Sequence, residues 1–296
     1  MKKVYQCIIG AVLALVALSA YANGAPDNAG LALFMIAGLP FSNVVASGVA
    51  TSSLPLGMSY NCIVLQLGGT AFTTAHITDI KVRLNGKVIW NDTAERNNLI
   101  NVYRGMPTST AFVEVDFTEP QLKRIEDHYA GNINTARGVS SLALEVTISG
   151  ATAPTLTPYY ELNGPAALGV IAKRILFTAA FSASGKFPFK IIDAANAGAM
   201  VKRVHFSHTG NMTILEVKKN GTVIFDNIPT AVNTRHQARY GKTAQANLFT
   251  YDPIVDDNGA NMLVTADARN LEFNPTFSGA DNVTAVAEVI DVLGNM

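Results

Sequence analysis

Apolar and polar residues alternate with period two through most of the chain. Ala111–Phe117 reads AFVEVDF and Ser141–Ile148 reads SLALEVTI, each with one apolar and one polar face. That is the pattern of a half-buried strand. Ser59–Leu67 and Ile77–Leu84 read the same way, and Lys87–Trp90 returns across Asn85-Gly86. An Asn-Gly pair suits the tight type I′ hairpin, in which both central residues take positive φ. In the second half the pattern predicts strands over Ala172–Phe181, Lys186–Ile192, Val201–Ser207, Asn211–Val217, Gln245–Tyr251, Leu271–Phe277 and Ala285–Val292.

Helical spacing is sparse. Thr118 is placed to cap a helix, with Glu119 and Pro120 in its first turn, Leu122, Ile125 and Tyr129 on one face and Gly131 as its stop. A weaker helical stretch covers Ala94–Tyr103, and short turns are expected in Arg235–Gly241 and Gly259–Asn270. Gly150–Pro165 carries three prolines and no clear period, which predicts a linker.

The hairpin is written twice. Ile80–Asn91 reads IKVRLNGKVIWN and Leu215–Asp226 reads LEVKKNGTVIFD. In register, Val82 meets Val217, Asn85-Gly86 meets Asn220-Gly221, and Trp90 meets Phe225, an offset of 135 residues. The flanks follow in the same chain order. Phe112–Phe117 and Leu248–Tyr251 each run into an acidic, proline-containing turn, and Leu144-Glu145-Val146 and Leu271-Glu272-Phe273 each end at Ser-Gly. A long-period repeat outranks local signals in reading a fold. The expectation is all-β: two tandem eight-stranded jelly rolls with a few short helices. The expected organisation is residues 1–34 as a signal-like or tethering segment, 35–150 as the first domain, 151–166 as linker and 167–296 as the second domain. Two unrelated sandwiches that share one turn are the competing reading.

Composition adds one point. Lys+Arg and Asp+Glu both number 22 and charged residues make up only 15%, against a typical ~25%. A neutral chain this poor in charge suits a surface buried against copies of itself; the alternative is a monomer with a polar, Asn/Thr-rich surface. No global basic excess points to nucleic acid. Lys2-Lys3, an uncharged run from Val4 to Ala22 and the Ala20-Tyr21-Ala22 site form a secretory-leader pattern. A short membrane anchor, or a true start at Met35, are the competing readings. Cys7 lies in that segment, which leaves Cys62 without a partner for an internal disulfide.

Catalytic patterns are missing: there is no G-x-S-x-G elbow, H-E-x-x-H pair or P-loop. No catalytic, cofactor-binding or metal-ligating residue is therefore assigned. His76, His128, His205, His208 and His236 lack ligand spacing and read as surface or hydrogen-bonded histidines. Asp252, Asp256, Asp257 and Asn258 place oxygen ligands close enough for a structural Ca²⁺ between subunits, although a solvated turn is the commoner meaning. Arg235, Arg239 and Lys242, with His236 and Tyr240, form a basic cluster suited to phosphate or to a neighbour's acidic loops; a solvated helix face is the alternative. Lys202-Arg203 and Lys218-Lys219 read as charges that protect strand edges.

Three further segments carry a resemblance. Leu39-Pro40-Phe41-Ser42-Asn43-Val44-Val45-Ala46-Ser47-Gly48, then Leu54-Pro55-Leu56-Gly57-Met58-Ser59-Tyr60, then Ile80–Lys87, resemble the opening of the major capsid protein of corticovirus-type bacteriophages, and Gln237–Tyr251 is similar too. The resemblance spans roughly Met35 to Met296. It implies a non-enzymatic double jelly-roll coat protein of a tailless icosahedral double-stranded DNA phage. Three copies would form a pseudo-hexameric capsomer over an internal membrane. The partners it implies are neighbouring capsomers, a vertex (penton) protein and the membrane or its proteins, with no direct contact to nucleic acid. The implied location is the virion shell, assembled in the bacterial host. The leader pattern departs from that family. It favours the rival reading of an exported adhesin or carbohydrate-binding protein, whose aromatic platform would have to use Trp90, the single tryptophan.

Overall fold

The computed structural model describes residues 33–191 and 198–295. The leader-like stretch lies outside them, as does the end of the strand expected to reach Ile192. Of the expected N-terminal segment, Leu33 and Phe34 are described, and Phe34 already opens a strand.

Each half carries nine strands among the described residues. The first half holds β1 (Phe34–Ala37), β2 (Gly48–Ser53), β3 (Ser59–Thr70), β4 (Ile77–Leu84), β5 (Lys87–Asp92), β6 (Phe112–Asp116), β7 (Ile133–Asn134), β8 (Leu142–Ile148) and β9 (Ala153–Asn163). The second holds β10 (Val170–Phe181), β11 (Gly185–Lys186), β12 (Met200–Ser207), β13 (Met212–Lys219), β14 (Thr222–Pro229), β15 (Leu248–Tyr251), β16 (Leu263–Val264), β17 (Leu271–Phe277) and β18 (Asp281–Val292). The first half packs β1-β9-β3-β6 against β5-β4-β8-β2; the second packs β10-β18-β12-β15 against β14-β13-β17-β11. The orders match strand for strand, and the short β7 and β16 extend β3 and β12 in the same way. The expected pair of jelly rolls is therefore present, with like topology in both halves.

The repeated hairpins explain why the match is close. Asn85 and Asn220 both sit at φ 51°, and Gly86 and Gly221 both at φ 79°. Each Asn also clamps the chain that leads into its neighbouring strand. Asn85 Oδ1 accepts from the Ser140 and Ser141 amides while its Nδ2 donates to Gly138; Asn220 does the same with Arg269, Asn270 and Asp267. Side chains at period two then fill the space between sheets. Ile80, Val82 and Leu84 face the first core, and Leu215 and Val217 the second.

Two expectations need correction. The predicted linker 151–166 contains β9, which pairs with β3 from Ser59↔Asn163 to Thr70↔Ala153. Its period two is real, with Leu156, Tyr160 and Leu162 buried, but Pro154 and Pro158 interrupt the pattern in the sequence. They are tolerated because the β1 ladder ends here: Ala37 lies opposite Tyr159, Gly38 donates to the Pro158 carbonyl with no donor needed in return, and Pro154 lies beyond the end of β1. The helix expected from Thr118 to Gly131 shrinks to Ile125–His128, labelled α2. Asp116 accepts from both the amide and the hydroxyl of Thr118, and Arg104 takes the Thr118 carbonyl, so Thr118 cannot act as a helix cap. The weaker helical stretch is the better formed one. Helix α1 (Ala94–Arg104) starts at Thr93, whose side chain accepts from Arg96, and ends at Gly105 in the left-handed region. Its counterpart α3 (Thr230–Arg239) follows β14.

The two halves meet edge to edge. β5 lies parallel to β10, with Trp90 opposite Arg174, and this joins one sheet of each half into a single nine-stranded sheet. Gly131 sits at the same seam. Its carbonyl accepts from the Ala172 amide, and a Cβ there would stand 2.4 Å from the Phe117 carbonyl oxygen.

Candidate functional site

The seam between the halves holds a buried chain of ions. Arg96 pairs with Asp92 at 2.6 Å, and Asp92 with Arg174 at 3.0 Å. Arg174 pairs with Glu288 at 2.6 Å, Glu288 with Arg203 at 3.4 Å, and Arg203 with Asp252 at 3.2 Å and Glu119 at 3.0 Å. Glu119 also takes Lys202 at 2.6 Å, and Arg104 lies between Glu119 and Asp116. The first half supplies Asp92, Arg96, Arg104, Asp116 and Glu119, and the second supplies Arg174, Lys202, Arg203, Asp252 and Glu288. The first contribution carries one net negative charge and the second one net positive charge, so the halves are complementary.

Local structure sets these positions. β12 has a bulge between Val201 and Arg203, and a bulge sets two successive residues against one on the partner strand. Lys202 and Arg203 therefore both reach Glu119. Arg174 projects from β10 onto the end of β5 and donates to Asp92 and to Asn97 Oδ1. Its guanidinium carbon stands 3.9 Å from the Trp90 ring centroid, a cation–π contact in a dry site. Tyr103 donates to Asp252 at 2.9 Å, and His205 Nδ1 is hydrogen-bonded to the Thr250 hydroxyl at 2.8 Å.

Charge here is fixed by pairing. Burial raises the Glu119 carboxyl, but Arg104, Arg203 and Lys202 outweigh it and hold Glu119 far below the usual range. Glu288 is likewise driven well down against burial, by Arg174, His205 and Lys202. Burial lowers His205, which is neutral at pH 7. Asp92 is raised by burial in spite of Arg174 and Arg96. A buried pair is a weak net source of stability, yet removing one partner costs about 3–5 kcal/mol. Any slip of one half against the other would leave such ions unpaired, so the network sets the angle between the lobes.

The corresponding face of the first half is open. β3 carries the same bulge, between Tyr60 and Cys62, which equates Cys62 with Arg203 and Glu161 with Glu288. Met35, opposite Glu161, then takes the place of Arg174, opposite Glu288. Helix contacts agree with this: Asn97 and Asn101 donate to the Glu114 carbonyl, and Asn233 and Gln237 donate to the Thr250 carbonyl. Where the second half meets α1, the first half has a cavity of about 460 Å³ lined by Leu33, Met35, Cys62, Glu114, Asp116 and Glu161, among others. Burial together with Asp116 raises Glu114, with Glu161 adding to the effect, and burial and Asp116 raise Glu161.

The residues singled out in the sequence fall as follows. Lys202-Arg203 are not edge protection: both are buried in the seam. Lys218-Lys219 lie on β13, an inner strand, paired with Glu216 and Asp267. His205 is buried and hydrogen-bonded. Arg235, His236, Arg239 and Tyr240 are exposed on and after α3, whereas Lys242 is buried against Asp257. Asp252 faces Arg203, Asp257 faces Lys242 and Asp256 accepts from Asn261, so these oxygens point to separate partners. Among the described residues no group of three or more His, Cys, Asp or Glu is placed to hold a metal. Trp90 is only 2% exposed under Arg174, so it offers no sugar platform. Arg174, Glu288 and Asp92 carry no motif in the sequence, and Glu119 reads there only as a first-turn residue of the expected helix. The signal was present as charges inside otherwise apolar strand text, such as VIAKRILF and AEVIDV.

Comparison with known proteins agrees with this architecture. Residues 35–163 match the viral coat protein P2 N-terminal domain, and residues 171–293 match the viral coat protein P2 C-terminal domain. The major capsid protein P2 from bacteriophage PM2 superposes with a TM-score of 0.81 at 18% identity, covering 88% of this chain and 98% of that one. The STIV MCP gives 0.64 at 13% identity, covering 88% and 97%. The PBCV-1 virus capsid gives 0.56 at 10% identity, covering 88% and 94%. Among curated proteins none matches.

Proposed function

The chain belongs to the viral coat protein P2 family, and from that premise we propose that three copies close head to tail into a six-lobed, pseudo-hexagonal tile of an icosahedral phage shell. The observation that carries this is the like strand order of the two halves, held at one angle by a buried seam. A subunit with two similar lobes supplies near-sixfold shape under true threefold symmetry, and a heterologous contact that closes makes a ring. Hexagonal tiles cover flat facets without gaps. The remaining partners on this reading are neighbouring tiles, a vertex protein and a membrane beneath the shell. Family membership replaces the exported adhesin or sugar-binding reading.

Light scattering on the purified protein is expected to give a mass near three times 31.4 kDa. A monomer at micromolar concentration would overturn the tile. Mass analysis of the mature N-terminus in purified particles separates a retained tether from a cleaved leader, and secreted free protein beginning at Asn23 would count against the shell.

A further inference from the structure

The second hairpin lacks what covers the first. β14 follows β13 at the edge of its sheet, and Val223 and Ile224 are each 41% exposed. β5 is sealed by β10 through Arg174↔Trp90. Among the described residues β1, the counterpart of β10, is likewise an open edge, with Leu33 58% and Met35 59% exposed. Each open edge is thus one half of a seam that the chain has already built once within itself.

The geometry points to an intermolecular copy of that seam, in which β14 and α3 of one subunit dock in parallel on β1 and the acid-lined cavity of a second copy's first half. This rests on the trimer reading above and names its contact. Transferring Trp90↔Arg174 through the repeat sets Phe225 against the neighbour's Met35 and Val223 against its Leu33. At these two positions the arginine–tryptophan pairing inside the chain becomes an apolar one between chains. Helix α3 adds charge complementarity. Its Arg239 corresponds to Tyr103, which reaches Asp252, so Arg239 arrives at Asp116 and Glu114 of the neighbour. Glu114 forms no ion pair within the described chain, and burial beside Asp116 raises it, so an arriving guanidinium relieves it.

The test is a pair of exposed cysteines, Leu33→Cys with Val223→Cys, in the full chain. Mild oxidation is expected to give covalent trimers on a non-reducing gel, and neither single variant should do so. Light scattering that still shows a trimer with no cross-link would overturn this contact and leave the tile standing; a monomeric parent would overturn both. Charge reversal supplies a second readout. Arg239→Glu is expected to weaken association at least about tenfold, and adding Glu114→Arg should restore most of it. Failure of the double variant to recover, with both proteins folded, would reject the Arg239–Glu114 approach.

Discussion

Two hairpins with nearly the same sequence live in opposite surroundings. On β5, Ile89, Trp90 and Asp92 are all but fully buried, because β10 and α1 close over them. On β14, Val223 and Ile224 stand out in solvent. The turn, the Asn clamp and the inward-facing valines are the same in both. What differs is the neighbour, and the residues that meet it follow it. Trp90 and Asp92 receive an arginine, while Phe225 and Ile228 in the matching places are suited to apolar cover. Duplication preserved the part of the hairpin that folds the domain and left the part that meets a partner free to change.

The largest test of this contrast is Arg174→Ala. It takes from buried Asp92 and Glu288 the cation they share, leaving Asp92 only Arg96 and Glu288 only the longer contact to Arg203, and should cost about 3–5 kcal/mol in denaturant unfolding. Met35→Ala, at the matching place, should change the free subunit by less than about 0.5 kcal/mol. Equal effects at the two sites would mean that the seam does not discipline the halves as described. Next, Trp90→Ala should cost about 3–5 kcal/mol, as for other buried aromatics. Phe225→Ala should cost clearly less before assembly, since Phe225 is half-buried against Tyr251.

Acid separates the two faces further. Glu119 and Glu288 are held below their unfolded values, so their contribution is complete above about pH 4.3 and is lost as pH falls through the folded values. Glu114 and Glu161 are raised, so their ionisation costs the free subunit stability at neutral pH, and protonation relieves it. A pH series of melting temperatures should decline as pH falls below about 6.5, where His205 and His208 protonate in the unfolded chain but are held neutral by burial in the folded one, and drop steeply below about pH 4. Glu114→Gln should raise the neutral-pH melting temperature of the free subunit slightly, and a decrease would contradict the assigned repulsion.

The smallest contrast should be none. Asn85→Ala and Asn220→Ala both place a Cβ-bearing residue without a clamp at φ 51°, and each should cost about 1–2 kcal/mol. Their difference should stay within about 0.5 kcal/mol. A large inequality would show that the two turns are not held alike.

Much of this architecture was legible in the chain. The Asn-Gly turns, the alternation in β4, β8 and β17, and the order of the flanking motifs rest on local chemistry, because positive φ and period two are properties of a few adjacent residues. β9 was hidden because its prolines look like breakers unless one knows that β1 ends before it meets them. The seam was hidden more deeply. Lys202 and Arg203 read as solvent charges because their burial depends on a bulge and on Glu119, which lies far away in the chain. The residues of α3 could be named as a basic patch, but nothing local says that the matching cavity is acidic.

By itself, then, the order of amino acids determined two like β-domains, their tight turns and the identity of their inward faces, since those follow from short-range backbone and solvation preferences. Only the tertiary structure decided which charges are buried, which hairpin is sealed, and that β1 and β14 lie at sheet edges among the described residues. Those outcomes depend on surfaces that come together across more than eighty residues of intervening chain.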